Sequence, residues 1–489
     1  GLPSWTGMSS PRKKGTQLIR FRSQCAVACM FPLSLLIYSS IALAGTEADA
    51  EGWKARKIND HLPGWVSLTA EHRTRYEYLD DEFREVASDE RGDREILVLR
   101  TLINGRVKVA EGLWLGAEFE DSRAEVNDDT LLDTSIVNAA ELLRAYVEYT
   151  HQDVMGGTVT AQGGRITMDV GSRRFVARNR YRNTINGFTG IDVQWKGEGG
   201  TELRGFWTLP VIRKPGNDRP EELKDNKVKF DDEDIDLQFW GLFAGLDLPR
   251  VGRGEFFFFG LHENGELGGA PTKKRDIYTP GFRVFEKPAP SQFDYVFETA
   301  LQFGRARESK GTDPRSDHFA HFHHLEFGYT FDVRWSPRVA FQYDYAMGDQ
   351  SPSDGDSGRF DTLYGARRFD FGPTGIYGPF ARNNLNTPGI RLQLKPSKTV
   401  TSFLSFRSFF LAESKDTWVK SGVRDADGNS GDYLGSQFEM RLRWNILPGN
   451  LKFEAGYAHV FDGEFIQDAP NSSRPGDFNY VYTQMVISI

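Results

Sequence analysis

The stretch from Gln437 to Trp444, "QFEMRLRW", alternates between polar and apolar side chains at every residue. Charged and amide side chains occupy one set of alternate positions, and large apolar side chains occupy the other. In an extended chain these two sets lie on opposite faces, which predicts a β-strand with one apolar and one polar side. The apolar set consists of Phe438, Met440, Leu442 and Trp444.

The same alternation recurs along most of the chain, so strand length and connections must decide the class of β-protein. The predicted strands are mostly about ten to fifteen residues long, near the length that crosses a bilayer at a tilt. Strands of soluble proteins average about five or six residues. Short turns are predicted at 110–112, 196–200, 249–254, 287–291, 395–398 and 447–450. Long polar loops are predicted near 121–138, 171–184, 213–233, 263–274, 306–315, 347–386, 413–433 and 462–477.

This alternation of short turns with long loops is typical of outer-membrane barrels. The count of predicted strands is about eighteen, an even number as bacterial barrels require. The first begins near Trp65 and the last ends at Ile489, so the two can pair and leave no open edge. We therefore expect an all-β fold, a single closed antiparallel transmembrane β-barrel over residues 65–489. Its turns would be periplasmic, its long loops extracellular and its lumen wide enough for water.

Residues 1–44 are predicted to be a signal peptide. A basic segment that contains Arg12 and Arg22 precedes an apolar stretch, which ends in the cleavage pattern Ala42-Leu43-Ala44 before Gly45. Residues 45–64 are predicted to be a short periplasmic lead into the barrel. The expected location is the bacterial outer membrane.

Charge and composition exclude several classes of function. The mean hydropathy is −0.49, and no long apolar run follows the signal, which excludes a helical membrane protein. The net charge is −8, and it becomes −13 when the five basic residues of the signal are removed. Nucleic-acid binding is not expected at this charge.

One segment concentrates positive charge in this acidic chain: "GSRRFVARNRYRN", residues 171–183. Such a loop can face solvent, contact lipid phosphates or fold inward as a constriction. Its small and apolar neighbours suit a packed loop, so we expect a constriction. Its five arginines are Arg173, Arg174, Arg178, Arg180 and Arg182.

The longest predicted loop, 347–386, has a basic and aromatic second half that could plug or line a pore. Arginine suits a passenger that bears carboxylates, because its fork holds them bidentately and stays charged. Inward acids such as Asp294 and Glu298 are expected to keep that passenger from sticking. The predicted pore-lining residues outside the first segment are Arg367, Arg368, Arg382, Arg391, Lys395, Arg144, Arg441 and Arg443.

Two segments resemble the alginate export family of bacterial outer-membrane channels: "GSRRFVARNRYRNTINGFTGIDVQW" and "FDTLYGARRFDFGPTGIYGPFARNNLNTPGIRLQLKPSKTVTSFLSFRSFFLAESKDTW". The resemblance extends from about residue 65 to the end of the chain. It implies an eighteen-stranded barrel whose electropositive pore passes an acidic polysaccharide out of the cell. Within the two motifs it assigns this role to Arg173, Arg174, Arg178, Arg180, Arg182, Asn183, Arg367, Arg368, Arg382, Asn383, Arg391 and Lys395.

Two alternatives to polysaccharide export remain open at this stage. One is a specific porin for uptake of small anions, and the other is a sealed structural or adhesive barrel. No catalytic, cofactor or phosphate-binding motif occurs, so we expect no enzyme activity, no cofactor and no metal. The expected partners are the anionic polysaccharide, outer-membrane lipid and possible periplasmic export proteins, with the barrel itself a monomer.

Overall fold

The computed structural model describes residues 53–85, 92–127, 132–311, 314–351, 354 and 356–489. The predicted signal peptide, residues 1–44, and the first part of the predicted lead lie outside this part of the chain. The described residues form a closed antiparallel barrel of eighteen strands with very little helix, which confirms the predicted fold. None of the described helices is long and apolar enough to cross a bilayer.

The barrel strands follow one another along the chain, and each pairs with its neighbours in sequence. They are β1 (Val66–Asp80), β2 (Arg94–Ala110), β3 (Leu113–Asn127), β4 (Asn138–Val154), β5 (Gly157–Ile166), β6 (Phe188–Gly197), β7 (Glu202–Pro210), β8 (Leu237–Leu248), β9 (Gly252–Glu263), β10 (Asp276–Glu286), β11 (Gln292–Ala306), β12 (Ser316–Thr330), β13 (Arg338–Ala346), β14 (Leu385–Leu394), β15 (Val400–Phe410), β16 (Tyr433–Leu447), β17 (Leu451–Asp462) and β18 (Phe478–Ser488).

Pairing of the last strand with the first closes the barrel. Strand β18 runs antiparallel to β1, with a register from Glu71 opposite Ser488 to Asp80 opposite Asn479. No barrel strand in the described chain is left with an open edge. This satisfies the backbone hydrogen bonds that a bilayer cannot supply.

Side chains alternate between the lipid-facing and lumen-facing sides of the wall, as the sequence pattern predicts. Large apolar residues such as Leu242 and Phe293 are exposed on the outside, each by 62% of its surface. Charged residues of the same wall are buried inside, and Arg75 and Glu298 are each 1% exposed. The polar face of each strand therefore forms the interior of the barrel.

The two ends of the barrel carry connections of different length. Short turns join the strands at the end that faces the periplasm in this class, and they include turns at 155–156 and 331–337 that the sequence pattern did not predict. The opposite end carries the long loops, among them an unpredicted connection between β1 and β2. The lead reaches the periplasmic end, where the Asn59 side chain accepts a hydrogen bond from the Leu68 amide at 2.7 Å.

Two long loops, 167–187 between β5 and β6 and 347–384 between β13 and β14, fold into the barrel instead of extending from it. We call this pair of inward loops the partition. Its apolar side chains pack in the interior, where Val176 is 0% exposed and Phe380 is 1% exposed. The first of these loops is the third long connection in chain order, and it contains the arginine-rich segment.

Candidate functional site

The two loops of the partition are joined by their backbones. The Tyr364 amide donates to the Phe175 carbonyl at 3.0 Å, and the Ala177 amide donates to the Tyr364 carbonyl at 3.1 Å. A third bond runs from the Ala366 amide to the Arg173 carbonyl at 2.9 Å. These bonds form a short parallel ladder, so the arginine-rich loop and the longest loop are fixed as one unit.

A buried carboxylate reinforces this ladder. Asp370 accepts hydrogen bonds from Nε and Nη2 of Arg174 at 3.0 and 2.8 Å, and it also pairs with Arg382. Burial by itself raises the pKa of the Asp370 carboxyl, but the two arginines outweigh burial and hold that pKa below its usual range. Asp370 therefore stays ionised and links the two loops.

Two of the predicted pore-lining arginines are buried in the partition and do not line a passage. Arg174 is 6% exposed and Arg382 is 1% exposed, so neither side chain is available to a passenger. Both serve to hold the partition together. Arg174 also pairs with Glu298 on the barrel wall at 2.7 Å. This pairing matters because a carboxylate buried in the wall requires a cation as its partner.

The predicted role of the inward acids also changes. Glu298 is bound to Arg174, and Asp294 is paired with Arg338. Both carboxylates are 1% exposed. They neutralise buried cations of the wall and the partition, and they do not face an open passage.

Arginines of the barrel wall hold the tip of the arginine-rich loop by its main chain. Arg73 Nη1 donates to the carbonyl oxygens of Arg180 and Tyr181, both at 3.1 Å. Arg100 Nη1 donates to the carbonyls of Arg180 at 2.9 Å and Arg182 at 3.0 Å. The loop tip is thus bound across the lumen while the Arg180 side chain stays exposed.

A cavity of about 980 Å³ lies between the partition and the periplasmic end, and we call it the vestibule. Its periplasmic border includes Lys57 of the lead, Gly449 of the last turn and Ile489. Its inner border includes Ala177 and Tyr181 of the partition. The vestibule therefore lies on the axis that a molecule entering from the periplasm would follow.

Positive side chains dominate the lining of the vestibule. The lining contains eleven cationic residues and four acidic ones, an excess that makes the vestibule attractive to anions. The cationic residues are Lys57, Arg73, Arg100, Arg144, Arg173, Arg178, Arg180, Arg368, Arg441, Arg443 and Lys452. The acidic residues are Glu71, Glu118, Asp169 and Glu454.

Seven of the thirteen residues predicted from the sequence meet in the vestibule. Three of them are held by close acids, since Arg178 pairs with Glu118 at 2.5 Å, Arg368 with Glu439 at 2.7 Å and Arg443 with Glu454 at 2.6 Å. Neither Arg173 nor Arg441 has an ion pair with a described residue. The seven are Arg144, Arg173, Arg178, Arg180, Arg368, Arg441 and Arg443.

The other predicted residues lie elsewhere. Arg391 is buried in the wall, where it donates to the Phe369 carbonyl at 3.0 Å, and Lys395 is exposed in a periplasmic turn. Neither lines the vestibule. Arg182 and Arg367 lie among charged residues of the outer loops, which places them on the extracellular side of the partition.

Some vestibule residues were not among the predicted site residues. Lys452 and Glu454 occupy alternate positions of β17, so the period of two that predicts the strand also predicts that they share a face. Lys57 comes from the lead, and no strand pattern could have placed it. The structure thus adds cations from the wall and from the lead to those of the partition.

The fold is similar to that of solved outer-membrane proteins. The outer-membrane protein OpdK from Pseudomonas aeruginosa is 11% identical, with a TM-score of 0.52 over 86% of this chain and 98% of that one. OccAB1 from Acinetobacter baumannii is 10% identical, with a TM-score of 0.56 over 89% and 99%. OprD from Pseudomonas aeruginosa is 12% identical, with a TM-score of 0.50 over 90% and 95%. At this identity the likeness concerns the fold alone.

No curated protein matches the sequence significantly. The profile of a known protein family, described as alginate export, matches residues 64–478 and so covers most of the chain. This match includes both segments on which the sequence resemblance rested, and it agrees with the barrel that the structure shows. The chain is a β-barrel protein of the bacterial outer membrane and belongs to the alginate export family.

Proposed function

We propose that this protein is an outer-membrane channel that passes an alginate-like anionic polysaccharide out of the cell. The observation that carries the proposal is the excess of positive charge in the vestibule, on the side from which an exported polymer enters. A uronate polymer bears a carboxylate on each sugar. Arginine binds carboxylates through paired hydrogen bonds and keeps its charge at any physiological pH.

The strength of each contact must stay small for the polymer to move. Exposed ion pairs contribute about 0.2–1 kcal/mol each, and conduction requires weak sites in series. The exposed Arg180 and the unpaired Arg173 and Arg441 suit this role. Arg178, Arg368 and Arg443 are partly neutralised by their acids, so they add to the field without binding the passenger strongly.

Uptake of small anions is a second candidate function, and the packing of the partition favours it. The loops meet through buried side chains and backbone bonds, so a polymer needs them to move, whereas a small anion needs a narrower path. The size of the anion that passes separates the two candidates. Vesicles loaded with labelled oligouronate should release it through the protein if a polymer passes, and they should retain it if only small anions do.

Anion preference is the central test of the proposed channel. Reversal potentials in planar bilayers with a salt gradient should show that the wild-type pore prefers anions. Replacing Arg173, Arg178 and Arg180 together by glutamate should shift the preference toward cations. A wild-type pore that prefers cations, or a triple variant with unchanged selectivity, contradicts the proposal.

A matched control keeps the change in net charge constant. The short outer helix Pro220–Lys224 and its flanks carry Arg219, Lys224 and Lys227, which do not line the vestibule. Replacing these three by glutamate adds the same negative charge at the extracellular surface. This control should retain wild-type selectivity. If neither the wild type nor any variant conducts ions, the result supports the sealed structural barrel and not a channel.

A further inference from the structure

Five outer connections each contribute one cation to a group on the extracellular side of the partition. We call this group the outer cationic cluster. Each member comes from a different part of the chain, so their proximity is a product of the fold and not of sequence clustering. The members are Arg84, Arg182, Arg213, Arg367 and Lys420.

Hydrogen bonds place one side of this cluster. The Thr184 amide and hydroxyl donate to the carbonyls of Ser135 and Thr134 at 3.2 and 2.8 Å, which holds Arg182 beside the connection that contains Asp133. Arg213 Nη2 donates to the Ile185 carbonyl at 2.8 Å. Arg182 and Arg213 are therefore fixed at the same short segment of the arginine-rich loop.

A second set of bonds places the other members around residues 376–380. Arg84 Nη2 donates to the Ile376 carbonyl at 2.8 Å, and Arg367 Nη1 donates to the Phe380 carbonyl at 2.7 Å. Trp418, two residues before Lys420, donates from its ring to the Pro379 carbonyl at 2.8 Å. Lys420 accordingly lies within electrostatic range of Arg367, Arg182 and Arg84.

Acids balance only part of the charge of the cluster, since Arg84 pairs with Glu82 at 2.8 Å and Arg213 lies near Asp231. Among the described residues, Arg182, Arg367 and Lys420 form no ion pair, and Asp133 is the acid that acts on all three. Neighbouring cations, Arg367 foremost, together with burial hold the pKa of Lys420 well below its usual range. Such mutual repulsion costs stability, and proteins retain it mainly at functional sites.

The cluster is separate from the vestibule. Main-chain atoms of residues 180–183 lie between them, bound to the wall arginines on one side. Asn183 also fixes this segment to the wall and to an outer connection, since its side-chain amide donates to the carbonyls of Leu99 and Ile136 at 3.1 and 2.8 Å. An anion in the vestibule therefore cannot reach the cluster without passing the partition.

We propose that the outer cationic cluster is a second anion site, which holds the carboxylates of an acidic polysaccharide on the extracellular side of the partition. This inference rests on the proposed function, because the exported polymer is the ligand it assigns. A site on each side of a narrow partition lowers the energy of an anion at both ends of the barrier. The polymer can then exchange one set of cations for the next as it slides.

Binding to intact bacteria that display the full-length protein tests the outer site alone. The probe is fluorescent polygalacturonate, a chain with a carboxylate on each sugar, and labelled dextran is the neutral control. Wild-type cells should bind the charged probe and not the dextran. The variant R182Q/K420Q should bind at least about fivefold less at the same salt concentration, because binding of a polyanion depends on the number of cations that meet it.

Two control variants remove cations that lie outside the outer cationic cluster. R173Q/R180Q removes two cations of the vestibule and should retain the binding of polygalacturonate to intact cells. R219Q/K227Q removes two outer-loop cations that lie outside the cluster and should do the same. Heat-modifiable migration on electrophoresis, which reports a folded barrel, should be equal for all variants.

Several outcomes would overturn the inference. One is undiminished binding by R182Q/K420Q, and another is an equal loss in R219Q/K227Q. Inorganic phosphate that displaces the probe at concentrations where free galacturonate does not would identify a phosphate site instead. A wild-type pore without anion preference in bilayers is a failure of the proposed function, whereas normal preference with unaffected surface binding is a failure of the outer site alone.

Discussion

Arg367 and Arg368 are adjacent in the sequence and face opposite sides of the partition. Arg368 donates to Glu439 at 2.7 Å and to the Tyr482 hydroxyl at 3.1 Å, and it lines the vestibule. Arg367 donates to the Phe380 carbonyl and belongs to the outer cationic cluster. The partition therefore presents one cation to the vestibule and the adjacent cation in sequence to the extracellular side.

Removing the carboxylate that joins the two inward loops should loosen the partition. Asp370→Asn leaves Arg382 buried without its counter-charge and leaves Arg174 with Glu298 alone, and breaking a buried pair in this way costs about 3–5 kcal/mol. The barrel wall is held by its own backbone bonds, so we expect the loss to appear in the loops. Single-channel recording should show larger or more frequent openings, and limited proteolysis should cut 347–384 faster.

The matched control for this change is an ion pair at the surface. Asp317 pairs with Arg305 at 3.1 Å, and both side chains are more than half exposed. Asp317→Asn should alter stability by about 1 kcal/mol or less and leave the currents unchanged. Equal currents in wild type and Asp370→Asn would show that the buried carboxylate does not hold the partition closed.

The same carboxylate predicts how the partition responds to acid. The pKa of Asp370 lies below the value of about 3.9 that an unperturbed aspartate has. Its stabilising contribution is therefore fully present above about pH 4 and is lost only as the pH falls through the lower folded pKa. From pH 7 to about pH 4, wild type should show no change in conductance that Asp370→Asn lacks. An opening transition between pH 5 and 6 that occurs in wild type and is absent from Asp370→Asn would contradict this assignment.

The close approach of the two loops depends on a glycine. A Cβ added at Gly365 would overlap the carbonyl oxygen of Arg174. Gly365→Ala should force the ladder apart at a cost of about 1–3 kcal/mol, as overpacking does, and raise the open probability of the pore. Gly163→Ala is the matched control, since an added Cβ there meets nothing within 4 Å, and its currents should equal those of wild type.

The wall was predictable because its signal is local. Each barrel strand alternates between polar and apolar residues, as in Gln437–Trp444. The type of each residue therefore predicts whether its side chain faces the lumen or the lipid. The turn at 155–156 was missed because only two residues separate β4 from β5. The inward folding of the arginine-rich loop was expected from its small and apolar neighbours.

The roles of individual arginines were not predictable, because they depend on partners distant in sequence. Arg174 is bound by Asp370 and Glu298, which are more than 120 residues away. No pattern within the loop distinguishes it from Arg173, which lines the vestibule. Alternation fixes the face of a strand residue, but an irregular loop has no period from which the direction of its side chains follows.

Neutralising an acid of the vestibule should strengthen its preference for anions. Glu118 accepts from Arg178 at 2.5 Å and lies 3.6 Å from Arg144. Glu118→Gln leaves both cations without this counter-charge. We therefore expect the reversal potential to shift further toward the equilibrium potential of chloride. Glu198→Gln makes the same charge change at an exposed periplasmic turn and should have no effect. A Glu118→Gln pore with reduced anion preference would indicate that Arg178 needs its partner to keep its position.

Relief of repulsion in the outer cationic cluster should stabilise the protein. Lys420 faces Arg367, Arg182 and Arg84, with Asp133 as the opposing acid. Lys420→Gln should therefore raise the free energy of unfolding at pH 7 by about 0.5–1 kcal/mol, the size of a partly screened charge contact. A substitution that stabilises the fold while it weakens binding of a polyanion is the signature of a residue kept for function.

The pH dependence of this gain follows from the lowered pKa of Lys420. The folded protein releases the lysine proton at a lower pH than the unfolded chain, whose lysine pKa is about 10.4. Wild-type stability therefore gains from this residue as the pH rises from the folded pKa toward about 10.4, while Lys420→Gln has no such gain. Denaturation at pH 7 and pH 9.5 should show the advantage of the variant shrinking at the higher pH. An advantage that is constant across this range would mean that Arg367, Arg182 and Arg84 do not crowd the lysine. The outer cationic cluster would then lack the repulsion that its geometry implies.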